Sequence, residues 1–148
     1  MPQRPIRLAT RAIILHDNRL LMVNAFAGDT SDLWCAPGGG AEPHQSLPDN
    51  LAREVYEETG LHISVGAPCL VNEFHAPSHS FHQVDLYFRC KIISGALTED
   101  WQDPENIVTK WQFFSRQELE SIRYKPDSLP DIAWGDGAFY DALEPLVR

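Results

Sequence analysis

Apolar and polar positions run in short blocks along this chain, and the period of each block separates strands from helices. "IRLATRAIIL" (6–15) and "RLLMVNA" (19–25) are aliphatic or β-branched and flank the turn-forming "HDNR", so together they predict a hairpin. "FAGDTSD" follows as loop. "LWCAPGGGAEP" holds too much Gly and Pro for a regular element and reads as a strand end running into a tight turn. Longer strands are expected from "HISVGAPCLVNEF" and "HQVDLYFRCKII". In the second, Val84, Leu86, Phe88, Cys90 and Ile92 share one face while Gln83, Asp85, Tyr87, Arg89 and Lys91 share the other, which is the alternation of a half-buried strand. "KWQFF" predicts a short strand, "SRQEL" a helix opened by a capping box from Ser115 to Glu118, and "DGAFYDALEPLV" a closing amphipathic helix.

One central segment carries the helical period. Ser46 followed by Asp49 makes a capping box, Pro48 is tolerated in a first turn and Gly60 is a natural stop, so Leu47–Thr59 is predicted as a helix. Hairpins mixed with this helix indicate an α/β or α+β sandwich rather than a doubly wound sheet. At about 100° per residue, Glu54, Glu57 and Glu58 fall at i, i+3 and i+4 on one helix face, beside the apolar stripe of Leu47, Leu51 and Val55. Like charges at this spacing cost a few tenths of a kcal/mol per pair, and partial desolvation adds to that. A divalent cation cancels the cost, and hard carboxylate oxygens suit Mg2+ or Mn2+. The competing reading is a plain solvated helix face. Just upstream, Gly38, Gly39 and Gly40 permit positive φ and bring backbone close to a ligand at a helix start, where anions are favoured.

Composition narrows the function. A chain of 148 residues predicts one domain, 1–148, with a real core. The opening stretch has neither a bilayer-spanning apolar run nor a signal-peptide cleavage pattern, so a cytoplasmic location is expected. A formal charge of -9 argues against nucleic acid and anionic membrane as partners, because both are bound through clustered Lys and Arg. A phosphate-bearing substrate therefore needs positive charge from another source. Cys35, Cys69 and Cys90, odd in number and set among apolar neighbours, read as buried free thiols.

The stretch "GGAEPHQSLPDNLAREVYEETGL" resembles the signature box of the Nudix hydrolases, the MutT-like pyrophosphohydrolases. That box runs glycine, five residues, Glu, seven residues, then Arg-Glu-apolar-any-Glu-Glu-any-Gly-apolar. Counted from Gly39, the chain matches at Arg53, Glu54, Val55, Glu57, Glu58, Gly60 and Leu61. It departs at Gln45, where the family has its first Glu, and has His44 where Gly is common. The resemblance implies a Nudix-type α/β/α sandwich with a mixed sheet and a central acidic helix. It also implies Mg2+- or Mn2+-dependent hydrolysis of the pyrophosphate bond in a nucleoside diphosphate linked to another group. An ADP-sugar-like substrate is favoured, and a nucleoside triphosphate comes next. Glu54, Glu57 and Glu58 would be metal ligands with the Gly38 or Gly39 carbonyl as a further group, and Arg53 would orient a ligand carboxylate. The general base would come from the box, as Glu54 or Glu57, or from a later acidic loop, as Asp103 or Glu105. Gln45 keeps an acceptor for Arg53 but not the charge, so weaker or shifted metal affinity is expected, with activity retained.

Gly38 and Gly40 are further candidates for contact with substrate. Trp34, Phe26 and Phe74 are candidates for stacking on a base, against the commoner reading of strand-side aromatics as core. His75, His79 and His82 are too loosely spaced for a zinc site, and their loop, with Phe81, is expected to line the substrate. "YKPDSLPDIAW" is expected to cover the pocket or a partner subunit, and a homodimer is a possible assembly. The alternative function is a non-catalytic nucleotide-binding sensor on the same fold, which Gln45 favours and the full carboxylate set disfavours. RNA decapping is disfavoured by the net charge.

Overall fold

Asp17 and Asn18 both take positive φ, 51° and 60°, and close the expected hairpin between β1 (Arg7–His16) and β2 (Arg19–Asn24), with His16 paired to Arg19. Positive φ at both loop residues gives a turn whose twist matches the strands it joins. The computed structural model describes residues 3–148, and Met1 and Pro2, which the expected domain and the leader reading include, lie outside the described residues.

Beyond the hairpin come β3 (Trp34–Cys35), β4 (Gly38–Gly40), α1 (Leu47–Thr59), β5 (His62–Ala76), β6 (Phe81–Ser94), β7 (Trp111–Phe114), α2 (Arg116–Leu119), α3 (Leu129–Ala133), β8 (Phe139–Tyr140) and β9 (Glu144–Pro145). The sheet order is β3-β2-β1-β6-β5-β8, with β4 on β1, β7 on β2 and β9 on β5. It is mixed, because β6 lies parallel to β1 (Arg7↔Gln83 through Ile14↔Cys90) and antiparallel to β5.

α1 has the predicted bounds. Ser46 Oγ accepts a hydrogen bond from Asp49 N at 3.1 Å, and Gly60 at φ 79° ends the helix by donating to Tyr56 O. Leu51 and Val55 pack against Ala12, Ile14, Phe88 and Cys90 on one face of the sheet. Full burial of side chains of this size contributes about 1.5–3 kcal/mol each. On the opposite face, Leu119 of α2 and Leu129 and Ile132 of α3 pack against Ile13, Leu20, Met22 and Tyr87. The Ser115 to Glu118 capping box that opens α2 is complete. Helices on both faces of the mixed sheet give the α/β/α sandwich.

Four expectations are corrected. β6 is not half-buried: Gln83, Asp85 and Tyr87, on its polar face, are as enclosed as Phe88 and Cys90, because a central strand with helices on both sides has no solvent face. Gly38–Gly40 is a strand on β1 rather than a tight turn. At Gly38 a Cβ would fall 1.9 Å from Thr10 O, so only glycine admits this approach. Cys35 is partly exposed rather than buried, while Cys69 and Cys90 are buried.

The closing helix is absent. Residues 136–147 instead pair with β5 through β8 and β9, with Asp141 N donating to Val71 O and Leu146 N to His75 O at 2.9 Å each. Pro145 offers no N–H to a helix, and the Asp141 carboxylate accepts from Ser128 Oγ and Asn72 Nδ2, which pins the chain to the sheet edge. Phe139 and Tyr140 stay exposed, so this segment buries no apolar stripe that a helix would need. Among the described residues no helix is long and apolar enough to cross a membrane.

Candidate active site

Glu54 and Glu58 leave the same face of α1 one turn apart and are nearly withdrawn from water, 8% and 7% exposed. With Gly39 they line a cavity of about 400 Å³ that the 95–110 loop closes with Asp103 and Glu105. Glu58 Oε1 accepts from Gly38 N at 3.2 Å. Burial pushes the Glu58 carboxyl up to about 8, with Glu54 and Asp103 adding to the rise, and Arg11 and the Gly38 N–H only partly offset it. Burial also raises Glu54, against Arg53 and with the help of Glu105 and Glu57. At Gly39 a Cβ would sit 2.5 Å from Glu54 Oε2, so glycine here lets backbone reach the carboxylate.

Glu57 behaves differently. Arg53 Nη1 donates to both of its oxygens at 3.2 Å, while Nε donates to Gln45 Oε1 at 3.2 Å and Nη2 lies 3.3 Å from Glu54 Oε1. One guanidinium thus ties Gln45, Glu54 and Glu57 together, and Gln45 fills its place as an acceptor. The expected convergence of three carboxylates is therefore two toward the cavity and one toward Arg53. Among the described residues no three His, Cys, Asp or Glu side chains gather as a ready metal site. The donors that do face the cavity are hard oxygens, crowded and desolvated, which fits a hard divalent cation. Of the two glycine carbonyls expected to help, that of Gly38 already accepts from Arg11 Nη1 at 3.3 Å.

The loop candidates separate as well. Asp103 accepts from the backbone N–H groups of Glu105, Ile107 and Val108 at 3.0, 3.2 and 2.9 Å, so its carboxylate holds the loop together. Glu105 faces the cavity without that duty.

Two residues that frame the site were missed in the sequence. Asn50, fully buried, donates to Gly40 O and Thr10 Oγ1 and accepts from Arg53 Nη2 at 2.9 Å, which joins the helix to β4 and β1. A poor helix former inside a helix was the available signal. Trp101 Nε1 donates to Glu57 O at 2.9 Å and its ring meets Tyr56 edge-on at 5.1 Å, so the acidic loop is fastened to the end of α1. Nothing local in the sequence announces that contact.

A second cavity of about 990 Å³ adjoins the first and shares Arg7, Arg11, Ala25 and Cys35 with it. Gln83, Asp85 and Tyr87 form its floor, and Phe26, Phe74 and Phe81 contribute aromatic walls. Trp34 lines neither cavity. Its ring packs edge-on against Phe114 at 5.1 Å in the core, a correction to its candidacy for stacking. Gly40 lines the small cavity. Of the histidines, His82 Nε2 lies 3.1 Å from Glu73 Oε1 and 6.0 Å separates the ring centres of His75 and His82, while His79 lines the large cavity. Pro126, within the segment expected to cover the pocket, lines that cavity beside Lys125.

The NUDIX domain family model matches residues 5–140, a span that includes the whole of α1 and every residue lining the small cavity. The chain belongs to the NUDIX domain family. Nudix hydrolases generally use divalent metal ions, in keeping with the all-oxygen donor set. The chain is 25% identical over 100 residues to "Nucleoside diphosphate-linked moiety X motif 6" of Homo sapiens, covering 68% of this chain and 32% of that protein. It is 32% identical over 91 residues to "Diphosphoinositol polyphosphate phosphohydrolase 3-alpha" of Homo sapiens, covering 62% of this chain and 52% of that one. The Nudix chain thus spans a third to a half of the length of these relatives. A crystal structure of a UDP-X diphosphatase superposes with a TM-score of 0.74 at 23% identity, covering 95% of this chain and 70% of that one, a likeness of fold.

Proposed function

We propose that this protein hydrolyses the pyrophosphate bond of a nucleoside diphosphate linked to another group. Water adds to one phosphorus, the bridging P–O bond breaks, and two phosphate esters leave with the released proton. The observation that carries this reading is the pairing of Glu54 and Glu58 in a small acidic cavity that opens, past Arg7 and Arg11, into a large cavity with aromatic walls. Mg2+ or Mn2+, when bound at Glu54 and Glu58 with Glu57 beside them, would neutralise phosphate charge and acidify a bound water.

The chain's own groups have distinct tasks. Arg53 holds Glu57 and Glu54 in place. Glu54 or Glu57 within the box, or Glu105 from the loop, accepts the proton from the attacking water, and Asp103 is set aside for that task because its oxygens already hold backbone. Arg7 and Arg11, at the junction of the cavities, face the diphosphate. Phe74 and Phe26 offer faces to a base. A nucleoside diphosphate joined to a sugar-like group is the favoured class and a nucleoside triphosphate the next. The likeness to "Nucleoside diphosphate-linked moiety X motif 6" and to a UDP-X diphosphatase supports that order.

The test is product release from a panel of ADP-ribose, other nucleoside diphosphate sugars, dinucleotides and nucleoside triphosphates with Mg2+ or Mn2+, for the wild type and Glu57→Gln. Turnover of one class that collapses in the variant supports the reading. Nucleotide binding without turnover under either metal would replace it with a sensor.

A further inference from the structure

The chain has a formal charge of -9, yet its large cavity is basic. Among the described residues, Arg4, Arg7, Arg11, Lys125 and Arg148 meet two side-chain carboxylates there, and both are engaged: Asp85 Oδ2 lies 3.4 Å from Arg11 Nε, and Glu144 Oε2 lies 3.4 Å from Lys125 Nζ. Among the described residues no carboxylate pairs with Arg4, Arg7 or Arg148. Three guanidiniums are left over.

They are also held in place. Arg7 donates to Gln83 Oε1, and Gln83 Nε2 donates in turn to Asp85 Oδ1 at 2.7 Å; Gln83 and Asp85 are 3% and 4% exposed. One buried carboxylate therefore serves two arginines along the floor. Arg4 Nη2 donates to His79 O at 2.7 Å, and its backbone N–H donates to Ser80 Oγ, which fixes it to the opposite rim. The Arg148 guanidinium lies 5.0 Å from the centre of the Phe26 ring. Guanidiniums gathered without carboxylate partners in a concave site are matched by phosphate, whose oxygens accept paired hydrogen bonds.

The cavities divide the work. Arg7 and Arg11 line both of them, so a diphosphate at the junction meets these two. Arg4 and Arg148 line only the large one and remain in excess. We propose that the large cavity receives a phosphate that the substrate carries in addition to its diphosphate, with Arg4 and Arg148 as its partners and the aromatic walls between. This rests on the pyrophosphohydrolase reading for the placement of the diphosphate.

Matched pairs of compounds test it: NADPH against NADH, and coenzyme A against dephospho-coenzyme A, each pair differing by one phosphate. Affinities are measured by calorimetry in EDTA, where no turnover occurs, for the wild type, Arg7→Gln, and the double variant Arg4→Gln/Arg148→Gln. Both replaced positions of the double variant are exposed, and circular dichroism checks that it folds. The phosphorylated member should bind at least tenfold tighter in one pair or both. That preference should fall below twofold in the double variant, whereas Arg7→Gln should weaken both members of a pair alike. Equal affinities within both pairs, no measurable binding of either phosphorylated member, or a preference that survives the double variant would overturn the assignment. Because binding is read without metal, absence of hydrolysis in the panel above would sink the enzyme reading and leave this result standing.

Discussion

The small cavity gathers like charges that repel one another, and the large one gathers guanidiniums that lack partners, so each is unfavourable until something of opposite sign enters. They differ in how the strain is distributed. In the small cavity Glu54 and Glu58 come from a single helix, and the cost falls on their protonation, with Glu58 pushed up to about 8. In the large cavity the charges come from the two ends of the chain and from β1, and the cost is spread over exposed rims where water still reaches. Enclosure is what turns crowded charge into a demand for one specific kind of ion; on an open rim, water meets much of that demand itself.

The comparison can be broken most severely at the acids. Glu54→Gln should lower kcat by about 10²–10⁴-fold, the range of a lost acid–base or ligand group, with the melting temperature unchanged or raised because a buried charge has gone. Steady-state kinetics beside thermal melts will show it, and an active Glu54→Gln would remove the acidic cavity from the chemistry. Gly39→Ala presses a methyl group against the Glu54 carboxylate and should weaken Mn2+ binding by about 10–100-fold while leaving the fold intact, as read by metal titration.

The pH dependence sharpens the contrast. The folded pKa of Glu58 lies above its ordinary value of 4.5, so in metal-free protein its contribution to stability is fully present below pH 4.5 and is lost as pH rises toward about 8. Metal binding reverses that loss. The rise in melting temperature on adding Mg2+ should therefore grow between pH 6 and pH 9, and binding at pH 7 should release close to one proton, seen as a calorimetric enthalpy that varies with the buffer. Smaller effects belong to the supports. Gln45→Glu gives Arg53 a charged partner and should tighten Mn2+ binding by less than about tenfold. Trp101→Phe keeps the ring but loses the bond to Glu57 O, a change of about 1 kcal/mol, seen as a fall of a few degrees in melting temperature.

The same contrast explains what could be read without coordinates. Glu54, Glu57, Glu58 and Arg53 lie within six residues, where helical spacing alone fixes the shared face, and Ser46 and Gly60 fix the ends. The turn at Asp17 and Asn18 was legible for the same local reason. Arg4, Arg7 and Arg148 meet only through the register of β1 on β6 and the path of the last residues along β5, and no spacing rule reports such a meeting. Trp34 shows the converse error: nearness in sequence to the glycines suggested the site, and packing on Phe114 placed it in the core. The closing helix failed because its letters have a helical period while its chain has an open sheet edge beside it, and backbone hydrogen bonding to β5 won.

β6 supplies Phe88 and Cys90 to the core under α1, Tyr87 to the other core, and Gln83 and Asp85 to the cavity floor. A single strand with three duties leaves little freedom for inherited change: a substitution that altered the floor would, more often than not, be removed by selection for folding before its effect on selectivity was ever tested. New substrate preferences in descendants of this chain should therefore accumulate at the rims, around Arg4, His79 and Lys125, while β6 stays nearly still.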